Sequence, residues 1–361
     1  YHNHTKHSYQ SVRANPHHLD WANQPSAFKI YPDLSPLALP QEVRQTGIAA
    51  LSAISPKKVP EEGEVTPDLS SLGQILYFSA GITKRRPYPG GDMFFRAASC
   101  TGALYEIELY LVCCDLPDLE AGVYHFGVGD FSLRKLRAGD YRKVLAQASG
   151  AEPAISHAPV TIICTGTYWR NAWKYQARTY RHFGWDNGTI LANLLALCTA
   201  LRLPARVVCG FVDAEVNQLL DLATEHEVSF SLIPIGYAEG LPPAPPGPIR
   251  PLGLETIPHS DTEVDYPGMR KMHDASSLRS AGEVSEWRAG PSRRDSPAPT
   301  GASVPLQPFR QEEMPPGSIE QVILRRGSTR NFTQESITFA QLSEMLFRST
   351  RGIPADFLQP F

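Results

Sequence analysis

The stretch WKYQARTYRHFGWDNGTILANLLALCTALR, residues 173–202, decides how this chain folds. Its second half spaces Ile190, Leu191, Leu194, Leu195, Cys198 and Leu201 three and four apart, the repeat that draws a broad apolar stripe down a helix, so a core helix is expected. Its first half crowds Lys174, Tyr175, Arg178, Tyr180, Arg181 and His182 at the entry to that helix. A dense set of ionisable groups against a buried element is where perturbed chemistry is expected.

Outward from this helix the chain alternates strands and helices. PVTIICTGTY before it reads as a buried strand; ARVVCGFV and VSFSLIPIGY after it read as two more, on either side of a helical VNQLLDL. Further upstream, GVYHFGVGDFSLRKLR reads as a hairpin turning at Gly127 to Asp130, and IELYLVCC as a strand. The segment RRPYPGGDMFF reads as loop that leads into a compact Ser-Cys-Thr-Gly turn. DLSSLGQILYFSAG places Leu69, Leu72, Ile75, Leu76 and Phe78 at helical spacing and ends on Gly81, predicting an amphipathic surface helix. Residues 1–40, broken by five prolines, read as a short helix and an extended wrapping arm. The pattern predicts an α+β fold, a mixed sheet wrapped by helices.

The 361 residues suggest two domains, with 42% hydrophobic residues to build a core. From Gly240 the composition shifts to proline, serine, arginine and glycine, so residues 256–316 are expected to be a linker, with RAGPSRRDSPAPTGAS its least ordered part. Periodicity resumes at Gly317 with two helices around a basic turn, the second opening on a capped ESITFAQ. The expected division is 1–255, 256–316 and an incomplete second copy over 317–361. A net charge of −3 gives no reason to expect nucleic acid or an anionic membrane as partner, and with no apolar run of spanning length a cytoplasmic address is the default. The six cysteines lack metal-ligand spacing and are expected to be reduced core residues; the early histidines, without ligand partners, are expected in loops and caps.

Three segments carry a resemblance. RAASCTGALYEIELYLV, residues 96–112, resembles the RAAPSSGALYPxExYLV signature of nitroreductase-family flavoproteins, with Ser99, Cys100, Thr101 and Glu106 replacing Pro, Ser, Ser and Pro. RRGSTRNF, residues 325–332, resembles the RRSxRxF phosphate grip that opens such domains. KYQARTYRHFGWDNGTILANL, residues 174–194, is similar to the KYxxRxYRxxxxxxGxxxxNL motif of the SagB-type dehydrogenases, which oxidise azoline rings in ribosomal peptides, and HTKHSYQS resembles that branch's opening HExTK pattern.

The resemblance implies a nitroreductase-like fold that binds FMN, a flavin site shared between two subunits or between two fused copies, and a small-molecule or peptide substrate, with NAD(P)H as a possible donor. It implies cofactor contacts at Lys6, Ser8, Arg96, Ser99, Cys100, Thr101, Gly102, Arg178, Arg325, Arg326, Ser328 and Arg330, and catalytic roles for Lys174 and Tyr175. The residue types suit that chemistry. A flavin takes hydride at N5 and needs backbone donors, a nearby cation and a phosphate grip. Loss of a neighbouring proton needs a base, and a tyrosine whose pKa, about 10 when free, is lowered by an adjacent ammonium is expected to serve. FMN is expected over FAD because no GxGxxG turn follows a strand. The competing expectations are NAD(P)H-driven reduction of nitro compounds or quinones, and a flavin-free binding module.

Overall fold

The structure, a computed structural model, describes residues 1–14, 16–42, 45–55, 63–88, 91–290 and 300–358. The N-terminal arm carries helices α1 (His2–Thr5) and α2 (Tyr9–Ala14) and the strand β1 (Pro36–Ala38), ahead of α3 (Ala50–Ala53) and α4 (Leu69–Ala80). A hairpin of β2 (Ile82–Tyr88) and β3 (Gly91–Arg96) leads through the loop 97–106 into β4 (Ile107–Cys113). After β5 (Gly122–Gly127) and β6 (Ser132–Ala138) come α5 (Arg142–Ala148), α6 (Pro153–Ser156), β7 (Val160–Thr167), α7 (Tyr168–Tyr175), α8 (Thr179–Ala200), α9 (Asp213–Leu220) and β8 (Glu227–Ile235). The remainder holds α10 (Pro267–Ser276), α11 (Ala281–Ala289), α12 (Ile319–Arg325) and α13 (Phe339–Thr350).

Six strands form one sheet in the order β1-β6-β5-β4-β7-β8. A mixed sheet is expected from the sequence, but every ladder between its strands is antiparallel. Short connections join β4 to β5 and β5 to β6, and such connections allow only antiparallel pairing. Side chains alternate across the sheet, so Ile107, Leu109, Leu111 and Cys113 join the core that contains Leu72, Leu76 and Leu194, while Tyr110 and Val112 join a second core with Val144, Val216 and Leu219. Burial on both faces is why these strands read as nearly continuous apolar runs.

The stripe of α8 falls as its spacing predicts, with Ile190, Leu191, Leu194 and Cys198 buried. Helix α4 begins at an Asp68 cap that accepts from Ser71 N at 2.7 Å and ends at Gly81. It is not a surface helix. Gln74 and Ser79 are buried along with its leucines, because α4 lies against α8, whose Asn193 donates to the Phe78 carbonyl at 3.0 Å.

Three other expectations change. Residues 82–88 and 91–96 pair as the strands β2 and β3 instead of forming a loop; Pro87 fits because a two-stranded ribbon leaves an unpaired edge. Residues 205–212 hold only isolated bridges, Ala205 to Ile235, Val207 to Ala355, Val208 to Leu232 and Val212 to Leu278, in place of a strand. The stretch expected as a linker contains α10 and α11, which bury Met269 and Val284; the centre of RAGPSRRDSPAPTGAS, residues 291–299, lies outside the described residues. Beyond it, α12 has a capping box at Ser318 and Gln321 and packs beside α3 and α8, and α13 has a second box at Thr338 and Gln341. No helix among the described residues is long and apolar enough to cross a membrane. The six cysteines are free.

A buried ionic cluster ties α7 to the sheet. Arg170 is wholly buried and its guanidinium pairs with Glu108 of β4, while the other Glu108 oxygen lies 2.9 Å from His125 Nε2 of β5. Burial alone would raise the Glu108 pKa, but Arg170, His125 and Arg96 outweigh it and hold the carboxyl well below the usual range. Arg170→Met leaves Glu108 buried beside too little positive charge, so urea unfolding should show a loss of about 3–5 kcal/mol. A loss below about 1 kcal/mol would mean the cluster does not anchor α7.

Candidate active site

The loop 97–106 bends sharply because Gly102, Ala103 and Tyr105 all have positive φ, at 66°, 56° and 56°. Glycine adopts this region freely, but Ala103 and Tyr105 do so only where the surroundings hold them. Here Arg170 donates to the Tyr105 carbonyl at 2.6 Å, and Tyr105 N donates to Cys100 Sγ at 3.0 Å. The Tyr105 hydroxyl accepts from Arg96 N at 3.1 Å, and the buried Arg96 guanidinium lies 4.8 Å from the Tyr105 ring centre and donates to the Ala27 carbonyl at 2.6 Å. From α8, Asp186 accepts from Thr101 N and Thr101 Oγ1, both at 2.9 Å, and Thr189 Oγ1 donates to the Ser99 carbonyl at 2.6 Å. Ser99 and Gly102 face outward.

Beneath the loop, Cys100, Glu106 and Asp186 bring donor atoms within 4.8 Å of one another. Cys100 Sγ lies 3.2 Å from Glu106 Oε2 and 3.1 Å from Asp186 Oδ2. Burial, followed by the charge of Asp186, raises the Glu106 pKa well above the carboxylate range, and burial with both acids raises the Cys100 thiol. Such a pair holds a proton, because two carboxylates this deep and this close do not both ionise.

The catalytic candidates reach this loop from α7. A Cβ on Gly102 would stand 2.8 Å from the Tyr175 hydroxyl, so Tyr175 lies directly against the glycine. Its ring packs edge-on to His182, 4.6 Å between centroids, and His182 Nδ1 lies 2.8 Å from Asn171 Oδ1. Lys174 Nζ sits 5.5 Å from the centre of the Tyr175 ring, over its face and not at the hydroxyl. The expectation that the ammonium lowers the Tyr175 pKa is therefore corrected: burial raises it, and the charges of Cys100, Asp186 and Glu106 add to the rise. Tyr175 keeps its proton at neutral pH.

A cleft of about 260 Å³ opens on the other side of Tyr175, lined by Lys6, His7, His17, Lys174 and Arg178 among others. Arg178 and Arg181 clamp α1 by donating to Thr5, Arg178 to its carbonyl and Arg181 Nε to its hydroxyl at 2.8 Å. Ser8 is outside this lining; its Oγ accepts from Ser11 N at 3.0 Å in the turn that starts α2. At the loop's opposite flank, Arg326 donates to the Ala97 carbonyl at 3.1 Å, while Arg325, Ser328 and Arg330 are exposed nearby in sequence. The fold thus divides the candidates into a loop group with Arg96 and Arg326, and a cleft group with Lys6, Lys174 and Arg178, joined at Tyr175.

Sequence reading passed over Asp186 and Arg170. Asp186 carried a signal: with Phe183, Asn187, Ile190 and Leu194 it lies on the buried face of α8, where a carboxylate needs donors. Arg170 carried none, since an arginine before an amphipathic helix is ordinary.

Residues 98–237 match the model of the nitroreductase family, a span that starts in this loop and ends just past β8. A protein of Methanocaldococcus jannaschii named as a nitroreductase is 27% identical over 168 residues, 46% of this chain and 80% of that protein. A crystal structure named as that of a nitroreductase from Anabaena variabilis superposes with a TM-score of 0.63 at 24% identity, covering 96% of this chain and 66% of that one, a likeness that shows the fold. A chain of the E. coli microcin synthetase McbBCD complex with truncated pro-MccB17 gives a TM-score of 0.43 at 19% identity over 52% of this chain and 71% of its own, too loose to bear on function.

Two outcomes test the site. Gly102→Ala forces a side chain into positive φ and against Tyr175, so the fold should persist while turnover drops at least tenfold; unchanged turnover would place the chemistry elsewhere. His182, depressed by burial and by Arg178 to about 4 from 6.5, favours the folded state fully above about pH 6.5 and loses that contribution as pH falls through about 4. The stability gap between the wild type and His182→Gln, measured by urea unfolding, should therefore narrow between pH 7 and pH 4.

The fold is nitroreductase-like, and residues 98–237, less than half of the chain, are similar to the nitroreductase family.

Proposed function

We propose that this chain is an FMN-dependent oxidoreductase of the SagB type, which removes hydride from an azoline-like ring of a small-molecule or peptide substrate. One observation carries the reading: Tyr175, from the KYxxRxYR stretch, lies against Gly102, from the SCTGALYE stretch. Two segments that separately resemble flavin-site motifs meet at one point.

The residues suit the cofactor. Gly102 has no side chain and a φ of 66°, so the exposed Ser99 and Gly102 offer backbone to a flat ring. Arg325, Ser328 and Arg330 are exposed close to Arg326, which is docked on the loop, and would grip the phosphate. One chain would then supply both halves of a site that subunit pairs otherwise build. FMN, when bound, supplies a hydride acceptor. Tyr175, protonated and held between His182 and Gly102, donates a hydrogen bond to the substrate and relays a proton through its hydroxyl toward the cleft. Lys174 keeps a cation over the phenol face and orients the substrate with it.

Denaturing the protein should release FMN, and anaerobic mixing with a thiazoline-bearing peptide should bleach its visible absorbance. Tyr175→Phe should keep FMN occupancy and thermal stability yet slow that bleaching by about a hundredfold, the scale of acid-base assistance. Bleaching by NAD(P)H and not by the thiazoline would move the reaction to nitro or quinone reduction. FAD, or no flavin, would end the reading.

A further inference from the structure

The cleft beyond Tyr175 has a chemistry that the flavin reading does not use. Its lining carries Lys6, Lys174 and Arg178 with three histidines and no carboxylate. Lys174 has the Tyr175 ring as its neighbour and Lys6 is exposed, and neither forms an ion pair among the described residues. Arg178 donates through Nη1 to the Thr5 carbonyl, sits 5.3 Å from the centre of the Trp185 ring and forms no ion pair among the described residues; burial and then the charge of Arg181 depress its pKa. At His182 burial depresses the pKa, Asp186 opposes it, and Arg178, His7 and Arg181 add to the depression. Three cations without an ion pair among the described residues, around a cavity of about 260 Å³, favour an oxyanion, and focusing by the walls strengthens that preference.

The cleft also has a fixed relation to the chemistry. Lys174 and Tyr175 belong to its wall, and Tyr175 is the residue that touches the loop. None of Arg325, Arg326, Ser328 or Arg330 lines it. Lys6, expected from the sequence as a cofactor contact, shares a cavity with the catalytic candidates. We infer that the cleft binds an anionic group, carboxylate or phosphate, carried by the substrate, and that Lys6, Lys174 and Arg178 select substrates bearing it. This rests on the proposed placement of the reacting centre beside Tyr175.

A phosphate group could come from the flavin itself, so the test separates the two sources. Inorganic phosphate is titrated calorimetrically into the full chain, both FMN-loaded and FMN-free. Saturable binding to the FMN-loaded chain is expected, weakened at least fivefold by Lys6→Ala and by Lys174→Gln, with Lys174→Arg near wild type and FMN affinity changed less than twofold. Phosphate that binds only the FMN-free chain or displaces FMN, with the variants losing FMN, would assign the cleft to the cofactor and overturn the inference. Equal binding by wild type and variants, or none, would reduce the cleft to solvated basic surface. If no FMN binds at all, the functional reading fails, while the titration of the chain alone still decides whether the cleft holds an anion.

Discussion

Everything near the candidate site depends on one buried guanidinium. Arg170 reaches from α7 to the Glu108 carboxylate in β4 and to the Tyr105 carbonyl in the loop, and thereby fixes three elements with one side chain. A buried cation is costly unless its charge is met; here Glu108 meets the charge and Nη1 donates to both Glu108 and the Tyr105 carbonyl, while the buried Nε has no partner among the described residues. The consequence is local rigidity. With α7 tied to the strand and the loop, Tyr175 at the end of α7 has a set position against Gly102, and the strained Tyr105 backbone has a partner that keeps it in place.

Two residues apart on the chain, Glu106 and Glu108 meet opposite fates. Both are fully buried, yet Arg170 and His125 hold Glu108 ionised while Asp186 and burial hold Glu106 protonated. The difference is the sign of the nearest charge, since both are equally removed from water. The protonated set sits under the loop where Tyr175 arrives, and its acids contribute to keeping the Tyr175 proton in place. Across the sheet, Lys29 and Glu227 repeat the ionised solution with an ion pair of 2.6 Å, joined by the Tyr110 hydroxyl. That pair fastens the N-terminal arm to β8.

Outer segments complete what the matched span of residues 98–237 begins. The arm contributes Lys6 to the cleft and Ala27 to the Arg96 guanidinium, and α12 brings Arg326 to the opposite flank of the loop. Segments from both ends of the chain therefore converge on the same short turn. Their roles could not be separated by sequence position, because Lys6 and Arg326 are both basic residues near a small hydroxyl residue and differ only in which side of the loop they reach.

The sequence by itself determined the elements whose periodicity is long and unbroken: the α8 stripe, β4, β7, β8, the β5–β6 hairpin, α12, and the capped start of α13. It also pointed to the loop at 99–102 and to Lys174 and Tyr175, since rare clusters of chemistry-bearing residues leave a local mark. Tertiary structure alone decided what depends on distant neighbours. Pro87 in a two-stranded ribbon, Val207 and Val208 bridging separate partners, and the burial of α4 all follow from packing that no local window contains. Electrostatics was the least legible of all. Adjacency of Lys174 and Tyr175 suggested a lowered pKa, but rotamer and packing put the ammonium over the ring and the acids of α8 and the loop near the hydroxyl, so the proton stays. Charge interactions act through space, and the sequence orders residues along the chain only.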